Sequence, residues 1–71
     1  MLRVRINDQR EAGSLCDFLR GVFAAVRRTS DPALIEVELP GALSSRHERR
    51  EVTAYLATWQ GLGRGRSAQI V

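Results

Sequence analysis

Only two side chains in this sequence titrate near neutrality or bind soft metals, Cys16 and His47. In contact, a thiol and an imidazole make a nucleophile and its base. One Cys and one His cannot close a structural zinc site unless a second chain supplies the remaining ligands. The helical periodicity puts Cys16 in the middle of one helix and His47 in the first turn of another. That separation favours packing for Cys16 and solvation for His47. No catalytic, cofactor-binding or metal-ligating set is therefore assigned, and the chain is not expected to be an enzyme.

The arginines offer different chemistry. Arg46, Arg49 and Arg50 crowd a helix start together with His47, where the helix dipole prefers acids. Such a cluster suits an anion held by backbone N–H groups and guanidinium groups. It is also served by local neutralisation from Glu48 and Glu51, with His47 and Glu51 at i, i+4 spacing. Arg64 and Arg66 lie in Gly61-Leu62-Gly63-Arg64-Gly65-Arg66, a segment flexible enough to wrap phosphate. It lacks the Gly-x-x-x-x-Gly-Lys pattern of a phosphate loop, and its glycines equally suit a helix cap and turn. Arg46, Arg49, Arg50, Arg64 and Arg66 are thus the candidate anion contacts, for phosphate or nucleic acid.

These side chains must be positioned by elements legible in the hydrophobic pattern. Leu2, Val4 and Ile6 alternate with Arg3, Arg5 and Asn7, the period of a strand with one buried face. Ile35, Val37 and Leu39 alternate with Glu36 and Glu38 over Leu34–Leu39, and Pro40-Gly41 ends that strand. Arginines on one strand and glutamates on the other favour pairing the two as neighbours. Val52, Tyr55, Leu56 and Trp59 recur at i, i+3, i+4 and i+7, the stripe of an amphipathic helix. Ser45-x-x-Glu48 resembles a capping box at its start. Ser67–Val71 reads as a short last strand.

The segment between the first strand and Leu34 decides the fold. A single helix over residues 8–28 would be about 31 Å long. The flanking strands span only about 17–20 Å, so its end would overhang the sheet. Ending the helix at Arg20, with Gly21 in the left-handed position beyond it, restores the match. Asp8-x-x-Glu11 and Ser14-x-x-Asp17 are rival starts for this helix. Its buried stripe is Ala12, Leu15, Phe18 and Leu19, with Cys16 beside it. Val22–Arg28 then becomes an edge strand, blunted by Arg27-Arg28, and Thr29–Ala33 a turn. Val22, Ala24 and Val26 face inward, leaving Phe23 on the open sheet face beside Ala25 unless the register is reversed.

The resulting β-α-β-β-α-β order resembles the ferredoxin-like superfold over its whole length. It implies an α+β two-layer sandwich of one domain, residues 1–71, with an antiparallel sheet in the order 4-1-3-2. The alternative is β-α-β-α-β with one long first helix. Features such as Phe18-Leu19-Arg20, Val37-Glu38-Leu39-Pro40 and Tyr55-Leu56-x-x-Trp59 also resemble short stand-alone proteins with no assigned activity. A superfold hosts many unrelated functions, and the chemistry of specific branches is missing. The Asn7-Asp8-Gln9 loop carries no Cys-x-x-Cys for metal transfer. The central strands present Arg3, Arg5, Glu36 and Glu38 where RNA-recognition domains stack bases on aromatics. An acylphosphatase would need a glycine-rich phosphate cradle after the first strand. A sulfur carrier would need an exposed Cys-Pro-x-Pro at a helix start, whereas Cys16 is mid-helix.

Composition bounds the rest. Seventy-one residues lie near the lower limit for a self-sufficient core. The net charge of +3 comes from eleven arginines and no lysine, against eight acids. Genomic base composition explains that choice as well as selection for bidentate contacts does, and the field is weak for a dedicated nucleic-acid binder. No apolar run approaches a membrane span, no leader pattern is visible, and a single cysteine suits the cytoplasm. The expectation is a small cytoplasmic non-catalytic interaction module, partnered by another protein or by itself as a homodimer. Its candidate surface is Arg3, Arg5, Phe23, Glu36 and Glu38, and a weak nucleic-acid or phosphate binder is the alternative.

Overall fold

The computed structural model describes residues 1–71. Strand β1 (Leu2–Ile6) leads through a single 3-10 turn (Gln9–Glu11) into helix α1 (Ala12–Gly21). Strands β2 (Ala25–Arg28) and β3 (Leu34–Glu38), helix α2 (Ser45–Gly61) and strand β4 (Ala68–Ile70) follow. The four strands form one antiparallel sheet in the order β2-β3-β1-β4, the expected order read from the other edge. The single helix over residues 8–28 does not occur, since the chain leaves α1 at Gly21 and returns as β2.

Alternation in the central strands builds one layer of the core. Val4, Ile6, Ile35 and Val37 are at most 2% exposed, whereas Arg3, Arg5 and Glu38 are exposed. Leu15, Cys16 and Leu19 of α1 meet this layer, as do Val52, Leu56 and Trp59 of α2. Burial of each large side chain contributes about 1.5–3 kcal/mol. Both helices therefore cover one sheet face, and the other face stays open.

The exit from α1 differs from the expected one in a physically specific way. Gly21 is the last helical residue and has no positive φ. Phe23 instead takes the left-handed conformation, at φ 66°. Its N–H donates to the Arg20 carbonyl at 3.0 Å, and the Ala24 N–H donates to the Leu19 carbonyl at 3.0 Å. These are the two bonds of a Schellman motif, and buried Ala24 and Leu19 supply its apolar contact. The cap consumes Val22 and Phe23, so β2 begins at Ala25 rather than Val22.

The helix starts also resolve. Asp8 caps the 3-10 turn, its Oδ1 accepting the Arg10 N–H at 3.0 Å. Ser14 lies within α1, where its hydroxyl accepts the Trp59 Nε1–H at 3.3 Å. At α2 the N-cap is Ser44, not Ser45, with Oγ accepting the His47 N–H at 3.1 Å. Glu48 does not close a capping box. It lies one turn before Val52 on the buried stripe, so its Oε2 accepts the Leu39 N–H at 3.0 Å. Its other oxygen lies 3.8 Å from the N-terminal ammonium.

Two outcomes follow for equilibrium unfolding. Gly21→Ala should stabilise by about 0.5–1 kcal/mol, since the site is helical with open space around it. A loss of stability would place Gly21 in the left-handed region after all. Glu48→Ala should cost about 1–3 kcal/mol by orphaning the Leu39 N–H, with Glu48→Gln recovering part of it.

Candidate functional site

The sheet register divides the expected partner surface in two. On the open face, Glu36 lies between Arg27 of β2 and Arg3 of β1 as their direct cross-strand neighbour. The Arg27 Nε donates to Glu36 Oε1 at 3.1 Å. Arg5 lies opposite Leu34 and reaches Asp31 Oδ2 at 3.2 Å. The Ala33 N–H, helped by Arg5, holds the Asp31 carboxyl below the usual carboxylate range. Glu38 lies opposite Ala25, far along the strand from Arg5. Arg3, Arg5, Glu36 and Glu38 thus share one face, on which Glu36 and Arg5 already have partners within the chain.

Phe23 is not among them. The Schellman turn removes it from the strand and leaves it 90% exposed at the end of the helical layer. There it rims a groove of about 230 Å³, walled by Val22, Leu39, Pro40, Ala42 and Tyr55. His47 and Glu51 add the charged and titratable side chains of the lining, and Gly41 lies beside Pro40 in it. His47, Glu51 and Tyr55 recur at i, i+4 and i+8 along α2, on one flank of its buried stripe. No ion pair joins His47 to Glu51, and neither side chain, nor the Tyr55 hydroxyl, has a hydrogen-bond partner. Tyr55 is accordingly half-buried, while Val52, Leu56 and Trp59 are buried. Leu43, in the loop after Pro40-Gly41, is 89% exposed. The spacing of these α2 residues was legible, but the wall opposite them is assembled from two distant turns.

The candidate anion contacts are also parted. Arg46, Arg49 and Arg50 are exposed near the start of α2, without ion pairs. Glu48 is turned inward and does not neutralise them. Arg64 and Arg66 follow the other end of this 17-residue helix, about 25 Å away. Arg66 stacks on Trp59 at 4.7 Å from the ring centroid and pairs with Glu11 at 3.4 Å. A Cβ on Gly63 would fall 2.5 Å from the Arg66 Nε, so a side chain there would displace the Arg66 guanidinium. The loop does reach the start of α1, where Asn7 Nδ2 donates to the Gly65 carbonyl at 2.8 Å. Asp8 already occupies the N–H groups there, and Arg10 holds its carboxyl below the usual range.

Cys16 is buried in the core, whereas His47 lines the groove, so the structure does not bring them together as a pair. No cluster of three or more His, Cys, Asp or Glu side chains is placed to hold a metal ion. No helix is long and apolar enough to cross a membrane. Comparison of the chain with family models, curated proteins and solved structures finds no match.

The open face makes a measurable distinction. A double-mutant cycle on Arg27 and Glu36 should return about 0.2–1 kcal/mol of coupling, as exposed pairs do. The same cycle on Arg5 and Glu38 should return none. Equal couplings from the two cycles would contradict the register.

Proposed function

We propose that this chain is a small, non-catalytic protein-interaction module of the ferredoxin-like type, acting in the cytoplasm, and that its contact surface is the groove beside Phe23. The observation that carries this is the conformation and exposure of Phe23 together. A left-handed conformation costs an L-residue roughly 1–2 kcal/mol, and helix caps of this kind normally use glycine. An aromatic ring there gains almost no burial within the chain, being 90% exposed. A side chain that is costly to the free protein and displayed beside an apolar groove points to a partner as its use.

The open sheet face supports this reading less well. Arg5, Arg27 and Glu36 on it are engaged within the chain through the Arg27–Glu36 and Arg5–Asp31 pairs. A phosphate or nucleic-acid reading would draw on Arg46, Arg49, Arg50 and Arg64, which lie in two groups at opposite ends of α2, and Arg66 is engaged with Trp59 and Glu11.

The test separates stability from binding. In dilute solution Phe23→Gly should raise stability by about 0.5–1 kcal/mol, the relief of strain exceeding the entropy added to the unfolded chain. The same variant should lose the complexes that the wild-type chain forms in cells, read by native size fractionation. A Phe23→Gly chain that keeps those complexes would remove Phe23 from the interaction.

A further inference from the structure

Resting on the assignment of the groove as a contact surface, we infer that its occupant is a second copy of this chain, each copy seating its Phe23 ring in the groove of the other across a two-fold axis. Knob and hole lie side by side on one surface. An isologous interface needs that arrangement, because residue i must meet residue j while j meets i. The groove is concave, about 230 Å³ in volume, with room for an aromatic ring between Leu39, Pro40 and Tyr55. The Phe23 backbone is anchored by its N–H bond to Arg20, so the ring is presented without a large ordering cost.

Polar complementarity between the groove's imidazole and its carboxylate points to a copy of the same chain. The groove carries one base, His47, and one acid, Glu51, one helical turn apart on α2, both without partners in the monomer. A two-fold axis crossing α2 between them sets the two helices antiparallel. His47 of each copy then faces Glu51 of the other, and the pair forms twice. Phe23 lines the same groove as these two residues, so its ring stands on the surface that the axis crosses. Leu43, 89% exposed in the adjoining loop, extends the apolar margin. A second copy across this axis gives both His47 and Glu51 a partner, the imidazole of each chain meeting the carboxylate of the other.

Sedimentation at rising concentration reads the association directly. The wild-type chain should form dimers by near-millimolar concentration, and Phe23→Ser should raise the dissociation constant at least about thirtyfold. Arg3→Ser, on the open face, should leave it within about twofold. Ala42→Trp, which fills the groove but keeps the ring of Phe23, should also abolish self-association. Mixing Phe23→Ser with Ala42→Trp should restore pairing, because one copy retains the hole and the other the ring. Circular dichroism on each variant establishes that it is folded. Wild-type chain that stays monomeric, or a dimer indifferent to Phe23→Ser, would overturn the inference. A benzophenone side chain placed at position 23, irradiated in cells, separates the two levels of the reading. A two-chain product attached within residues 39–55 supports the second copy. A product containing only another protein overturns the second copy and leaves the interaction module standing. No product at all overturns both.

Discussion

The turn at the end of α1 is the constraint on which the rest of the structure depends. The carbonyl of Leu19 accepts the N–H groups of both Val22 and Ala24, at 3.1 and 3.0 Å. Those bonds terminate the helix within the length of the sheet and send the chain back as β2. The antiparallel pairing of β2 with β3, and of β3 with β1, follows from that reversal. A left-handed Phe23 is costly, and the capping bonds with the burial of Leu19 and Ala24 offset it. A longer helix would have kept Phe23 in a relaxed conformation, but its last turns would have had no sheet beneath them.

Part of the charge in this small domain is settled at short range. Arg5, Arg10, Arg27 and Arg66 each meet a carboxylate within 3.4 Å. Arg66 is the least exposed of the four and also covers the face of Trp59, so it acts as packing as much as charge. The arginines without an ion pair are spread out, at Arg3 and Arg28 on the strands, near the start of α2, and at Arg64. Separated charges of this kind keep a chain dispersed in water more readily than they grip one anion.

Function is therefore read from apolar exposure rather than from charge. The open face of a two-layer sandwich is the obvious place to seek a partner, yet here it is polar, with Arg5, Arg27 and Glu36 paired within the chain. The two most exposed large apolar side chains, Phe23 and Leu43, lie instead in the connections that flank the groove, with Phe23 on its rim. Those two connections, α1 to β2 and β3 to α2, are held by caps rather than by the sheet.

The sequence by itself determined what depends on local period and length. Alternation placed β1 and β3, the i, i+3, i+4 stripe placed α2, and the mismatch between helix and strand lengths placed the break after Arg20. Arginines on one strand and glutamates on the next indicated which strands are neighbours, and Arg3 does lie opposite Glu36. The tertiary structure alone decided which residue bends at each break. Gly21 was the natural candidate for the left-handed position, but the chain must carry Ala24 under Leu19 to re-enter the sheet, and that moves the bend to Phe23. Ser44 rather than Ser45 caps α2, and in this arrangement Glu48 faces the N–H of Leu39 and Val52 faces the core. Residue types and spacing carry period and polarity along the chain, but where two distant turns meet depends on how the layers pack. For that reason the elements were legible in the sequence and the groove beside Phe23 was not.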